Sequence, residues 1–143
     1  MKTLNPSSKQ GGAFLLEALI GILIFSMGIL ALVGLQAASV NSVSESKYRI
    51  DSSFLANEII AEMWVADRRN VSAFSYPGGG ATALSPWVAK VEATLPEAAA
   101  NPPTIDVVGN DVNGFMVTVT LRWKTPASND VRTHVEVAFI HNP

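Results

Sequence analysis

The pattern of apolar and polar positions divides the chain into three stretches. From Ala18 to Ser44 there is no Asp, Glu, Lys, Arg or His, and Phe14, Leu15 and Leu16 lead into this run. The 23 residues from Ala18 to Val40 would span roughly 35 Å as a helix, enough to cross a ~30 Å hydrocarbon core once. Beyond Ser44 the pattern becomes periodic. Leu55, Ile59 and Met63 recur every fourth residue, and Ile50 with Phe54 and Ile60 with Trp64 widen the stripe, which predicts a helix over 41–66 packed on one face. No Pro or Gly lies between Leu35 and Ala66 to interrupt it.

The third stretch alternates. After a loop predicted over 67–84, made flexible by Pro77 and Gly78-Gly79-Gly80, Ser85-Pro86 reads as a helix N-cap followed by proline at the first helical position. Trp87, Val91 and Leu95 then place a short helix over 85–95. Ile105 and Val107 begin a strand, and the segment Gly109–Gly114 turns the chain. Phe115, Val117, Val119, Leu121 and Trp123 share one face of the next strand. Past the turn-rich Pro126–Asp130, Val131, Thr133, Val135, Val137 and Phe139 continue the pattern opposite Arg132, His134 and Glu136. The expectation is an α+β fold in which a long helix lies across a small antiparallel sheet over about 104–140, each burying the other's apolar face.

Composition narrows the chemistry. The chain has 143 residues, room for one small soluble core once a membrane segment is subtracted. Ten Lys plus Arg against twelve Asp plus Glu give a net charge of −2, with no basic cluster beyond Arg68-Arg69, so nucleic acid is not an expected partner. Without cysteine there is no disulfide, thiolate metal site or cysteine nucleophile. Glu58 and Glu62 sit one turn apart on a face read as solvated, with no further ligand at metal spacing. The glycine triplet lacks the Lys-Ser/Thr ending of a phosphate loop. His134 and His141, the only histidines, read as surface residues. No catalytic set, metal site or cofactor is expected.

The N-terminus carries the most specific signal. Met1–Gly12 is polar, holds Lys2 and Lys9, and ends in Gly11-Gly12. An ordinary cleaved signal peptide, with Ala37-Ala38-Ser39 as its small-residue site, is the first rival, although its apolar region is usually about 7 to 15 residues. Glu17 stands inside the apolar stretch, where a charge deep in a bilayer costs about 2.5 to 3.5 kcal/mol. It can be explained by a position at the headgroups, near the positive end of the helix dipole, or by a partner.

The stretch Gly12-Ala13-Phe14-Leu15-Leu16-Glu17 resembles the prepilin peptidase site of type IV pilins and type II secretion pseudopilins. In those proteins a glycine ends the leader and glutamate is fifth in the mature chain. The resemblance implies a leader over 1–12, cleavage between Gly12 and Ala13, and N-methylation of Ala13. It departs from the usual pattern in having Ala13 where Phe is common and Phe14 where Thr is frequent. It assigns Glu17 to neutralising the new terminal amine of a neighbouring subunit, with Phe14 and Leu16 beside it in filament assembly. It also implies that the segment from about Ser26 to Leu35 can lose helicity in an assembled pilus, with Gly28 and Gly34 easing the change.

The runs Phe14–Ile20 and Met27–Gln36, with Trp87 and Leu95-Pro96 ahead of three strands, look most like minor pilins of the PilV type. The implied role is non-catalytic: a subunit that helps initiate the tip complex and so supports motility, adhesion or DNA uptake. The implied partners are other minor and major pilins, prepilin peptidase, the inner-membrane assembly platform and membrane lipid. Its place would be a single pass in the bacterial inner membrane, with the head in the periplasm and later on the pilus. A type II secretion pseudopilin is the alternative within the class. A membrane-anchored receptor or adhesin and an exported enzyme are the alternatives outside it.

Overall fold

The structure, a computed structural model, describes residues 11–80, 82–126 and 128–141. The leader residues 1–10 lie outside the described residues. The first element, helix α1, runs Gly11–Val65. The chain divides into two units, the first ending at Ser42 and the second comprising Val43–Pro143. In the first unit the helix is apolar apart from Glu17 and a few uncharged polar residues, and its described side chains are exposed. Among the described residues, one helix is therefore long and apolar enough to cross a membrane.

The second unit holds the core. The last third of α1 buries Ser52, Leu55, Ala56, Ile59, Ile60 and Met63 against the sheet. The predicted spacing of Leu55, Ile59 and Met63 is thus borne out, and of the wider stripe Ile60 is buried whereas Ile50, Phe54 and Trp64 are not. Ile50 is 70% exposed and Phe54 63%, because at 100° per residue they fall some 140° and 100° from Leu55 around the helix. Trp64 is likewise largely exposed.

The stretch predicted as a flexible loop is instead structured. A 3-10 helix occupies Arg68–Phe74, with the Asp67 carboxylate accepting a hydrogen bond from the Arg69 backbone N–H at 3.0 Å. Its three-residue period carries both Val71 and Phe74 into the core. Gly79 then passes so close that a Cβ there would collide with the Ala73 and Ser75 carbonyl oxygens. Helix α2, Leu84–Thr94, begins earlier than expected, and its N-cap is Ala83 rather than Ser85. The Trp87 N–H already bonds the Ala83 carbonyl, so Pro86 sits inside the first turn, where its missing N–H has no intrahelical partner to lose. Trp87 Nε1 donates to the Leu55 carbonyl at 2.9 Å, fastening α2 to α1 in the core.

Strands β1 (Thr104–Asn110), β2 (Gly114–Lys124) and β3 (Val131–Ile140) form an antiparallel sheet in that order. The α+β architecture of a long helix packed on this sheet is as expected. Phe115, Val117, Val119, Leu121 and Trp123 are all buried, together with Ile105. The face assigned to β3 is reversed, however. Its buried-side residues are Arg132, His134, Glu136, Ala138 and Ile140, which pair with Trp123, Leu121, Val119, Val117 and Phe115. Val135, Val137 and Phe139 are about half exposed on the opposite face. The cause is the connection from Thr125 to Asp130, which has an even number of residues. It pairs odd positions of β2 with even positions of β3, and one residue of register exchanges every side chain between faces. The turn Asp111–Asn113 has an odd number and keeps parity, so Ile105 and Val107 meet Val119 and Val117 as the alternation suggests.

Candidate functional site

The residues singled out at the N-terminus lie on the opening turns of α1. Gly12, Ala13, Phe14, Leu16 and Glu17 are all helical and exposed. Glu17 makes no ion pair among the described residues. Ala13 and Glu17 are four apart and share a face, whereas Phe14 lies about 60° to one side of Glu17 and Leu16 about 100° to the other. The same geometry sets Gly21 and Gly28 within about 40° of Glu17 and leaves Gly34 about 100° away. A Cβ added at Gly21 or Gly28 would meet nothing within 4 Å, so each leaves a notch in the helix surface.

The chemistry of this face follows from its solvent. A carboxylate on an apolar, lipid-length helix is costly unless a cation neutralises it, and the helix supplies none between Ala18 and Ser44. Small residues along the same line let a second helix approach closely. The arrangement therefore suits a contact with another molecule's helix that brings a positive charge to the level of Glu17. Helicity continues through Ser26–Leu35, where the Ser26 hydroxyl donates to the Ile22 carbonyl at 2.7 Å.

Glu58 and Glu62 do not form a paired site. Glu58 is bound by Lys90 Nζ at 2.6 and 2.8 Å, and Glu62 lies along an apolar groove with Phe54, Ala61, Val65 and Phe74. No group of three or more His, Asp or Glu side chains close enough to hold a metal ion occurs among the described residues.

The register of β3 gathers polar groups that the alternation pattern had placed at the surface. Arg132 and His134 face α1, where Arg132 Nε comes within 3.2 Å of Glu45 Oε1 and His134 Nε2 within 3.5 Å of Glu136 Oε2. Arg49 reaches the same Glu45 oxygen at 3.7 Å. The signal that would have shown this is the even residue count of the connection before β3.

No known protein family matches the chain, and neither the curated proteins nor the solved structures include one detectably similar to it.

Proposed function

We propose that the chain is a non-catalytic minor pilin of a type IV pilus, of the PilV type, that helps initiate assembly at the tip complex. The observation that carries this reading is Glu17, the one charged residue of α1 before Ser42, on an exposed apolar stretch and fifth in sequence after Gly12. Removal of residues 1–12 by prepilin peptidase creates an amine at Ala13. That amine and Glu17 occupy neighbouring levels of the same helix, so the amine of one subunit can neutralise the carboxylate of the next and set their stagger. The helix anchors the subunit in the bacterial inner membrane by a single pass until assembly, with the head in the periplasm. Losing Lys2 and Lys9 takes the side-chain charge of the mature chain from −2 to −4.

The test is the intact mass and N-terminal sequence of the membrane-extracted protein made with and without prepilin peptidase. The expected result is peptidase-dependent loss of Met1–Gly12 and a methylated Ala13. An intact leader in both samples would make the chain a plain membrane anchor, and a terminus near Val40 a secreted protein. Glu17→Ala should be cleaved normally yet fail to enter filaments. Normal incorporation would remove the carboxylate from the mechanism.

A further inference from the structure

On α1, Phe54, Ala61 and Val65 fall within about 40° of one another around the helix, well away from the row of Leu55, Ile59 and Met63 that enters the core. Together with Phe74 of the 3-10 helix and Ala83 ahead of α2, they line a groove of about 830 Å³. The groove faces solvent, since Phe54 is 63% exposed and Val65 88%. From Phe54 to Val65 it follows α1 for three turns, roughly 16 Å. Contiguous exposed apolar surface of this kind marks an interaction site.

Charge decides what can fill it. Glu58 and Glu62 belong to the same lining, one turn apart, and no cation does. Glu58 is already matched by Lys90 Nζ at 2.6 Å, and that ammonium also stands 5.5 Å from the centre of the Phe54 ring. Glu62 makes no ion pair among the described residues. Water serves its carboxylate while the groove is open, but an apolar occupant would remove that water, and a covered carboxylate without a cation is costly. The occupant must therefore combine an apolar face with a positive charge at the level of Glu62. A second copy laid groove to groove would set Glu62 against Glu62, and an anionic lipid surface would bring phosphate to it, so both add like charge.

We infer that the groove docks an amphipathic helix of another protein, which lays its apolar residues between Phe54 and Val65 and pairs a lysine or arginine with Glu62. Three turns of groove match apolar anchors recurring at i, i+4 and i+7 on the incoming helix. The small side chains of Ala61 and Ala83 let its axis approach α1 to the usual 8–10 Å, about the separation of packed helices. The inference is independent of the pilin reading, since every residue in it belongs to the second unit and none to the face that carries Glu17.

The test uses the full chain in phosphatidylcholine nanodiscs and a fluorescent helical peptide of about four turns, with leucines at i, i+4, i+7 and i+11 and one lysine beside them. Protein is titrated to about 100 µM against the peptide's anisotropy, and binding to empty nanodiscs is subtracted. Saturable binding is expected. A peptide with glutamate in place of the lysine should bind about tenfold more weakly, and Glu62→Lys, at an exposed position, should invert that order. Ala61→Phe, also at an exposed position, fills the groove without entering the core and should weaken the lysine peptide at least about tenfold. Near-UV circular dichroism checks that both variants keep the fold. No saturable binding, or full affinity in Ala61→Phe, would overturn the inference. Equal binding of the two peptides would also overturn it, by showing a groove that takes any apolar chain, lipid included. Because the chain has no cysteine, Ala61→Cys and Glu92→Cys each carry a single thiol. A disulfide-linked dimer of the first but not the second, formed without peptide, would make a second copy the occupant instead.

Discussion

Ile22 and Ile59 are the same residue type in the same helix, yet Ile22 is 64% exposed and Ile59 fully buried. The difference lies in what surrounds each turn. Around Ile59 the sheet and α2 provide a wall of Val117, Val119, Leu121 and Val91, all within one core cluster. Around Ile22 no described residue of the first unit provides such a wall, and an apolar solvent or another helix can. A helix that is apolar on every side cannot be explained by its own fold; one that is apolar on one side can. The two halves of α1 thus follow different rules, lipid-length continuity before Ser42 and periodic burial after Val43.

The largest effects should separate those rules. Ile59→Ala should cost the second unit about 2–5 kcal/mol through the cavity it leaves, measured by chemical unfolding with near-UV circular dichroism as the probe. Ile22→Ala should leave that transition where it is. Equal losses at the two positions would mean that the first unit contributes to the core after all. Conversely, Ile24→Asp should cost about 2.5–3.5 kcal/mol of membrane insertion, read as the fraction of protein recovered with membranes, without moving the unfolding midpoint.

A smaller effect tests the structured segment after α1. Gly79→Ala should lose about 1–3 kcal/mol of stability, because the new methyl would collide with backbone rather than with a flexible side chain. A loss below measurement would show that the segment is as loose as its glycine content suggests. The smallest effect belongs to the surface. Lys90→Ala removes the ion pair with Glu58, whose side chain is 30% exposed, and should cost about 0.2–1 kcal/mol, diminishing with added salt.

How much of this was legible depends on which signal each residue carried. Leu55, Ile59 and Met63, and the odd positions from Phe115 to Trp123, declare their burial by period alone. Val71 and Phe74 do not, because two apolar residues in a short polar segment fit a loop as well as a 3-10 turn. Ser85 is a good cap by composition, but the Trp87–Leu55 hydrogen bond and the burial of Leu84 accompany a cap two residues earlier, at Ala83. The face of β3 was misread because its valines alternate strongly, and alternation shows which residues share a face without showing which face is covered. Only the parity of the preceding connection decides that. Arg132 and His134 turn inward for the same reason, which is why their approach to Glu45 and Glu136 had no signature in the composition. At Glu17 the sequence was sufficient to mark the position, since an isolated charge in an apolar run is visible without coordinates.

The two edges of the sheet are unequal. Tyr76 and Ile105 exchange both backbone hydrogen bonds at 2.9 Å, which interrupts the outer edge of β1, whereas β3 has only β2 beside it. An open-ended stack of sheets requires every molecule to offer two free edges, one for each neighbour. The bridge obstructs β1 at Ile105 and leaves β3 as the less encumbered edge, so a second molecule adding a strand to this sheet meets least obstruction at β3.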